Sequence, residues 1–88
     1  MLKPVYLKSF KKELSKAEKR GLDLEKIKSV MTDLIKEKPL DKKFHNHRLQ
    51  GNFKGYWECH VTPDWLLIYK KDEKYIYFIR TGTHSDLF

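Results

Sequence analysis

The spacing of apolar residues changes near Leu49, and this change constrains the fold more than any other feature. Before Leu49 the apolar residues recur with the period of amphipathic helices, and after it they alternate with the two-residue period of strands. A chain in which helices come first and strands follow predicts an α+β fold. We expect two N-terminal helices packed on a small, mostly antiparallel sheet.

The first half predicts two helices after a short strand at residues 5–8. The first helix lies between Ser9, which can cap it, and Gly21, which can end it in the left-handed conformation. The second begins at Asp23, whose carboxylate can cap it, and stops before Pro39. Their apolar faces consist of Phe10, Leu14 and Ala17 in the first helix, and of Ile27, Val30, Met31, Leu34 and Ile35 in the second. Because the turn between them is short, the helices should lie antiparallel in one layer.

The second half predicts three strands, at residues 56–61, 65–69 and 75–80. Pro63-Asp64 and residues 71–73 form the turns between them. Connections this short require antiparallel neighbours. With the helices on one sheet face, the other face is predicted to be available for a ligand.

The length of 88 residues predicts a single domain over 1–88. The lone Cys59 cannot form an internal disulfide. The first ten residues do not resemble a signal peptide, and no apolar run has membrane-spanning length. These features predict a cytoplasmic protein that does not enter a membrane.

The net charge is +7, and all of the excess lies in the N-terminal half. Residues 1–50 contain 14 Lys and Arg against 7 Asp and Glu, whereas residues 51–88 contain 5 against 5. A basic surface of this kind suits a polyanion, because lysines that neutralise phosphates release counterions. A solvated helical surface and an acidic protein partner are the alternatives.

Histidines mark the candidate site. Histidine titrates near neutral pH, so a group of histidines favours proton transfer or metal binding. If the strand ends bring His47, His60 and His84 together with Asp64, one group could deprotonate a nucleophile while another protonates a leaving group. RNA supplies both partners, as a 2′-hydroxyl and a 5′-oxygen. Taken singly, each histidine is more often a structural residue of a half-buried sheet, and His45 lacks any patterned context.

Three further residues have two interpretations each. Trp65 can stack on an unpaired base or belong to the core. Arg80 can hold a phosphate or pair with Glu58 or Asp86. Phe88 can pack over the site or cap the core.

Neither a metal nor another cofactor is predicted. No pair of residues has a tight ligand spacing such as CxxC or HxxxH. Cys59 and His60 are adjacent on a strand and would point to opposite faces.

Three separated phrases resemble the YafQ branch of the RelE toxin superfamily: His47–Gly51, Glu58–Tyr69 and Arg80–Phe88. The resemblance spans nearly the whole chain. It implies the RelE/ParE-like toxin fold and cleavage of mRNA in the ribosomal A site, without a metal, by attack of the 2′-hydroxyl. The chain departs from the pattern at Arg48, where relatives often carry proline.

The resemblance also implies a set of site residues. His47, His60, Asp64 and His84 match the catalytic positions. The supporting positions that match are Trp65 and Phe88. Our hypothesis is that Asp64, with His47 or His60, removes the 2′-hydroxyl proton and that His84 protonates the leaving oxygen. Arg80 or a protonated histidine would offset charge on the phosphorane.

The partners implied are a cognate antitoxin, the ribosome with its mRNA, and operator DNA only through the toxin-antitoxin complex. Three alternatives remain. One is a ParE-like gyrase inhibitor, which shares the fold without needing nuclease residues. The second is a non-catalytic basic module that binds nucleic acid. The third is a protein of the toxin fold that acts only with its antitoxin, as a DNA-binding repressor.

Overall fold

The computed structural model describes all 88 residues, Met1–Phe88. The elements follow in the order β1 (Lys3–Tyr6), α1 (Lys8–Lys19), α2 (Leu24–Ile35), β2 (His47–Arg48), β3 (Trp57–Thr62), β4 (Trp65–Lys71), β5 (Tyr75–Gly82) and α3 (His84–Leu87). All five strands form one sheet in the order β1-β5-β4-β3-β2. Strand β1 runs parallel to β5, and the other neighbouring pairs are antiparallel. The predicted α+β class with a mostly antiparallel sheet is confirmed.

The main core lies between the sheet and helices α1 and α2. Alternation along the strands directs every second side chain toward these helices, and the apolar stripe of each helix faces the sheet. Its buried members include Phe10 and Ala17 of α1, Ile27, Val30, Met31 and Leu34 of α2, and Cys59, Val61, Leu67, Tyr69, Ile76 and Phe78 of the sheet. The predicted helix faces therefore form the core, except that Leu14 and Ile35 are only partly buried at its margin.

The first residues of the two long helices agree only in part with the starts predicted from the sequence. Helix α2 begins as predicted, because the Asp23 carboxylate accepts a hydrogen bond of 3.0 Å from the N–H of Glu25. Helix α1 begins at Lys8, before the predicted cap at Ser9. The Ser9 hydroxyl instead donates to the carbonyl of Ile79 at 2.8 Å. This bond ties α1 to β5, so the hydroxyl is not free to cap the helix.

Both helices end on a left-handed residue. Gly21 has φ +84° at the end of α1, as predicted, and Glu37 has φ +59° at the end of α2. The N–H of Lys38 donates back to the carbonyl of Asp33 at 2.9 Å, which closes the last turn. The helix ends before Pro39 as predicted, but it ends at Ile35 and this left-handed turn, not the proline, stops it.

The sheet face opposite α1 and α2 is only partly open. Leu66 and Ile68 are buried on it beneath Leu87 of α3. Leu49, Tyr56 and Ile79 pack around this small cluster. The expectation of a free second face is wrong for this part, and the remaining area beside β2 and β3 carries the site.

Candidate active site

Alternation along β3 directs Glu58 and His60 away from helices α1 and α2. Cys59 and Val61 belong to the main core, so the residues between and beside them point to the opposite face. Strand β2 places His47 directly across from Glu58 in antiparallel register. Strand pairing thus brings three polar side chains together.

A buried carboxylate lies at the centre of this cluster. Glu58 is only 5% exposed, and its Oε1 lies 3.5 Å from Nε2 of His47 and 3.5 Å from Nε2 of His60. Nδ1 of His47 is 2.6 Å from the carbonyl oxygen of His45. Because a carbonyl only accepts, that ring nitrogen must carry the proton and donate it. The His45 ring in turn meets the edge of the His60 ring, with centroids 5.4 Å apart.

His84 reaches the same cluster from the C-terminal end of the chain. It opens α3 directly after β5, and its ring centroid lies 5.8 Å from that of His60. Its Nδ1 is 3.9 Å from Oδ1 of Asp64, an exposed residue in the turn between β3 and β4. The structure therefore brings together the four residues predicted as catalytic. Their individual roles stay predictions.

The short helix α3 is anchored at its first turn. The Thr83 hydroxyl accepts from the N–H of Asp86, whose carboxylate accepts from the N–H of Thr83 in return. Arg20 donates to the same carboxylate at 2.8 Å. The bond from Arg20, followed by that from the Thr83 N–H, holds the pKa of Asp86 well below its usual range. These bonds fix the start of α3 and therefore the position of His84.

Phe88 packs over the site. It is 56% exposed, and its ring centroid lies 6.3 Å from that of His84. Phe53 meets it edge to face with centroids 5.2 Å apart. Of the two interpretations of Phe88, the structure supports the one at the site.

The structure does not bring Trp65 to the histidines. Its indole is 2% exposed in the main core, and its Nε1–H donates to the hydroxyl of Thr81 at 2.9 Å. The Thr81 hydroxyl in turn donates to the carbonyl of Leu66 at 2.7 Å. A ring enclosed in this way cannot stack on a base, so the prediction of a substrate contact is corrected to a core role.

Arg80 also lies away from the histidines. Its Nε and Nη2 each donate to the Glu13 carboxylate of α1 at 2.8 Å, which raises the pKa of the guanidinium. Arg80 follows Ile76 and Phe78 at two-residue steps along β5, so strand alternation places its side chain on the sheet face that packs against α1. This bidentate pair replaces the predicted partners Glu58 and Asp86, whereas the phosphate contact stays a prediction.

Sequence reasoning missed Glu58, His45 and Phe53 as members of the site. Glu58 has a signal, because a glutamate between two residues of a buried strand face must project onto the face that carries His60. No signal in the sequence marks His45. Its position in the site depends on a left-handed backbone conformation at φ +47°, which no local pattern indicates.

Glu58, His60 and His84 could together hold a metal ion. The ligand atoms of Glu58, His60 and His84 all lie within 4.8 Å of one another. Imidazole nitrogen with a carboxylate oxygen suits zinc or copper. Spacing along the chain did not predict this set, because its members come from β3 and α3 and meet only in the folded protein.

Cys59 is not available as a nucleophile. It is fully buried, and burial followed by the charge of Glu58 raises the pKa of its thiol to about 12. The thiolate, which is the reactive form, is therefore scarce at neutral pH.

One concave surface adjoins the histidine cluster, and a second follows α1. One, of about 890 Å³, is lined at the cluster by His45, His47 and His60 and beyond it by Lys26, Lys43 and Phe44. The other, of about 960 Å³, follows α1 and is lined by Lys11, Lys12, Lys16 and Lys19 among others. Both surfaces have the positive charge that a nucleic-acid strand requires.

The fold and site together define the class of protein. A small mixed sheet with two helices on one face and an acid-base cluster on the other is the architecture of a RelE-superfamily toxin. No helix is both long and apolar enough to cross a membrane.

Comparison with known proteins gives the family. Residues 2–88 match the family model described as the bacterial toxin of the type II toxin-antitoxin system, YafQ. The chain belongs to this family. It is 46% identical to the mRNA interferase toxin YafQ of Escherichia coli K12 over 84 residues, 94% of this chain and 91% of the relative. It is an endoribonuclease.

Solved structures agree with this assignment. The toxin in a crystal structure of the E. coli DinJ-YafQ complex is 44% identical, with a TM-score of 0.93 over 99% of this chain and 97% of that one. A metal-bound toxin from Helicobacter pylori is 39% identical, with a TM-score of 0.93 over the whole of both chains.

Proposed function

We propose that the protein is a toxin that cleaves mRNA in the ribosomal A site. The observation that carries this proposal is the convergence of His47, His60 and His84 with Glu58 and Asp64 on one sheet face. Such a cluster can remove one proton and deliver another. These are the two transfers that attack by a 2′-hydroxyl needs. The E. coli relative named an mRNA interferase supports mRNA as the substrate.

The proposed reaction is an internal transesterification. The 2′-oxygen forms a bond to the adjacent phosphorus while the bond from phosphorus to the 5′-oxygen breaks. A histidine beside Glu58 takes the 2′-hydroxyl proton, and His84 gives its proton to the 5′-oxygen. The products are a cyclic phosphate and a free 5′-hydroxyl. No metal takes part in this scheme.

The remaining residues support these transfers. Asp64 adjoins His84 rather than His47 or His60, so we assign it to orienting the acid instead of sharing in the base. Since Glu13 holds Arg80, a protonated histidine offsets charge on the phosphorane. Phe88 and Phe53 provide aromatic faces on which a base of the codon can stack.

The basic surface along α1 supports action on the ribosome. Lys11, Lys12, Lys16 and Lys19 are exposed on the first helix and lie apart from the histidines. Lysines placed there neutralise phosphates of ribosomal RNA while the histidines face the mRNA. Action on translating ribosomes places the protein in the cytoplasm.

An antitoxin is the second proposed partner. The E. coli relative is found in complex with DinJ, and a cognate antitoxin of this chain would neutralise it in an equivalent complex. An acidic or amphipathic segment that folds on binding suits the basic surface. Operator DNA would be bound only by the complex.

The decisive experiment is induced expression with primer extension on a reporter mRNA, repeated for His84→Ala. We expect growth arrest with new in-frame 5′ ends, and neither in the variant. Arrest with intact mRNA would favour a ParE-like gyrase inhibitor. Absence of arrest from folded protein would favour a non-catalytic module that binds nucleic acid.

A metal ion at the same site is a second candidate function. Glu58, His60 and His84 present three ligand atoms together, and the H. pylori relative is metal-bound. An ion such as Zn²⁺ or Cu²⁺ would inhibit cleavage, because it would occupy nitrogens that transfer protons. Added Zn²⁺ should stop cleavage, and a chelator that binds Zn²⁺ but spares the Mg²⁺ that ribosomes require should restore it, while that chelator alone should leave cleavage unchanged. Cleavage that depends on Zn²⁺ would contradict this role.

A further inference from the structure

The concave surface lined by Lys26, Lys43 and Phe44 beside the histidines contains no carboxylate. We refer to it as the carboxylate-free surface. Neither of its lysines forms an ion pair within the chain. The surface along α1 differs, because it also includes the carboxylates of Glu13 and Asp86. Two exposed ammonium groups without an anionic partner are available to neutralise a phosphate.

The segment that carries Lys43 is held in place by hydrogen bonds and packing. The Asp41 carboxylate accepts from the N–H of Lys43 at 3.0 Å, and Oδ1 of Asn46 accepts from the hydroxyl of the buried Tyr69 at 2.6 Å. Phe44 packs against the main core, and the Lys43 ammonium lies 5.2 Å from the centroid of its ring. The backbone and one cation are therefore in position before a ligand arrives, which lowers the entropy that binding costs.

A row of imidazoles leads from the carboxylate-free surface across the site. The ring centroid of His45 lies 5.4 Å from that of His60, which lies 5.8 Å from that of His84. The carboxylate-free surface includes His45 and His60, at the first end of the row. Phe88 lies at the other end, with its centroid 6.3 Å from that of His84. Two chemically different surfaces therefore flank the histidines.

We propose that the carboxylate-free surface is the subsite for the nucleotide on the 5′ side of the cleaved bond. Lys26 and Lys43 neutralise the phosphate that precedes this nucleotide. The attacking 2′-hydroxyl belongs to the same nucleotide and loses its proton to a histidine beside Glu58, whereas His84 protonates the 5′-oxygen of the next nucleotide. The mRNA therefore runs from the lysines at its 5′ side toward Phe88 at its 3′ side. This inference rests on the proposed cleavage, because it assigns the direction of its substrate.

Continuity with the histidines identifies the occupant as RNA. A substrate that places one phosphodiester at the histidines must continue on both sides of them, and the carboxylate-free surface adjoins them directly. Single-stranded RNA alternates charged phosphates with flat bases. The lining offers both matching features, because the two lysines lie beside the ring of Phe44 and the apolar side chains of Val61 and Pro63.

Neutral linkages in the mRNA test the contact. A methylphosphonate replaces one charged oxygen of a linkage by a methyl group. Placed one linkage 5′ of the cleaved bond in a reporter codon, it should lower the single-turnover rate at subsaturating toxin about 3–10-fold in the parent. Lys26→Gln/Lys43→Gln should lower the rate on the natural mRNA by a similar factor. This double variant should then be insensitive to the neutral linkage, because both changes remove the same interaction.

The same analogue tests the direction of the strand. Placed one linkage 3′ of the cleaved bond, the methylphosphonate should slow the parent and Lys26→Gln/Lys43→Gln by equal factors, because the lysines do not contact that phosphate. If the lysine substitutions instead remove the effect of the 3′ linkage, the direction is reversed and the inference is wrong.

Lys36→Gln/Lys38→Gln is the matched control. Both lysines are exposed beyond the end of α2 and lie outside the carboxylate-free surface and the surface along α1. The change in net charge equals that of the test variant. The control should retain the rate of the parent and its sensitivity to the 5′ neutral linkage. The slope of log rate against log salt should become shallower by about 0.7 in Lys26→Gln/Lys43→Gln, for one phosphate, and stay unchanged in the control.

Amide ¹⁵N–¹H spectra give a readout that does not depend on cleavage. The probe is an RNA hexanucleotide with 2′-O-methyl groups, which has no 2′-hydroxyl to attack. We expect it to shift the signals of Lys26 and of residues 43–45 in the parent, and to leave them unshifted in Lys26→Gln/Lys43→Gln. A poly-glutamate peptide should not shift them. Shifts with poly-glutamate and none with RNA would overturn the inference in favour of an acidic polypeptide.

The two proposals fail in different ways. If the parent cleaves and Lys26→Gln/Lys43→Gln responds to the 5′ neutral linkage as the parent does, the subsite is wrong and the cleavage proposal stands. If the parent does not cleave ribosome-bound mRNA, the cleavage proposal is wrong, and with it the direction of the strand. The RNA-induced shifts at residues 43–45 decide separately whether the carboxylate-free surface binds RNA.

Discussion

At the scale of single residues, Trp65 illustrates how burial decides between two roles. We expect Trp65→Phe to lower the free energy of unfolding by about 1–3 kcal/mol, because it removes buried atoms and the hydrogen bond to Thr81. Cleavage per folded molecule should be unchanged. Urea unfolding and single-turnover cleavage on the same samples test this. Trp57→Phe, at the margin of the same core, should lower the free energy of unfolding by a smaller amount.

A different outcome would restore the role implied by the family. If Trp65→Phe is fully folded by urea unfolding and still loses cleavage, the indole acts in the reaction or in its positioning. The structure offers no contact from this ring to a histidine, so that result would require the core to rearrange on the ribosome.

At the scale of elements, the anchoring of α3 gives a pH dependence. The lowered pKa of Asp86 means that its ionised form stabilises the fold. A group whose folded pKa is lowered contributes fully above its unfolded value and loses that contribution as the pH falls. Asp86→Asn should therefore be less stable than the parent at pH 7, and the difference should shrink below its ordinary value of 3.8. Urea unfolding at pH 7 and pH 3 measures both.

The same variant should cleave more slowly, because α3 carries His84. Asp33→Asn on α2, which lies outside the pair with Arg20, is the control with the same change in net charge and should cleave at the rate of the parent. A difference for Asp86→Asn that grows toward pH 3 would contradict the assignment of the carboxylate as the stabilising form.

The end of α2 gives a stability prediction. Glu37 holds a left-handed conformation that side chains rarely adopt, at φ +59°. Glu37→Gly should raise the free energy of unfolding by about 0.5–1 kcal/mol, since the strain removed exceeds the entropy that glycine adds to the unfolded chain. Glu37→Ala keeps the strain and removes only the exposed pair with the N-terminus. Equal stabilities of the two variants in urea would show that the backbone strain is negligible.

How far the sequence predicts this structure depends on the range of the interactions. Helix α2 and strands β3 to β5 follow from local periodicity and caps such as Asp23. The parallel pairing of β1 with β5 does not, because it joins residues near opposite ends of the chain. The site divides in the same way. The histidines and Asp64 are visible as motifs, whereas the pair between Arg80 and Glu13 joins β5 to α1 and depends on tertiary packing.

At the scale of the whole molecule, the basic residues and the candidate catalytic residues occupy different parts of the surface. The lysines line the surface along α1, and the histidines lie on the opposite sheet face beyond β3. We expect the double variant Lys12→Gln/Lys16→Gln to raise the half-saturating toxin concentration on ribosomes and to leave the maximal cleavage rate unchanged. The slope of log affinity against log salt should become shallower by about 0.7–0.9 for each phosphate that the variant no longer neutralises. Single-turnover cleavage over a range of salt concentrations measures all three quantities.

The control is a double variant with the same change in net charge, Lys70→Gln/Lys74→Gln, in and beside the turn between β4 and β5. If attraction comes from specific interactions along α1, this control retains the affinity and salt slope of the parent. If both double variants weaken binding equally, the net charge of +7 attracts the ribosome as a whole, and the lysines of α1 make no specific contribution. A fall in the maximal rate of the α1 variant would instead mean that docking through α1 sets the geometry of the histidines on the mRNA.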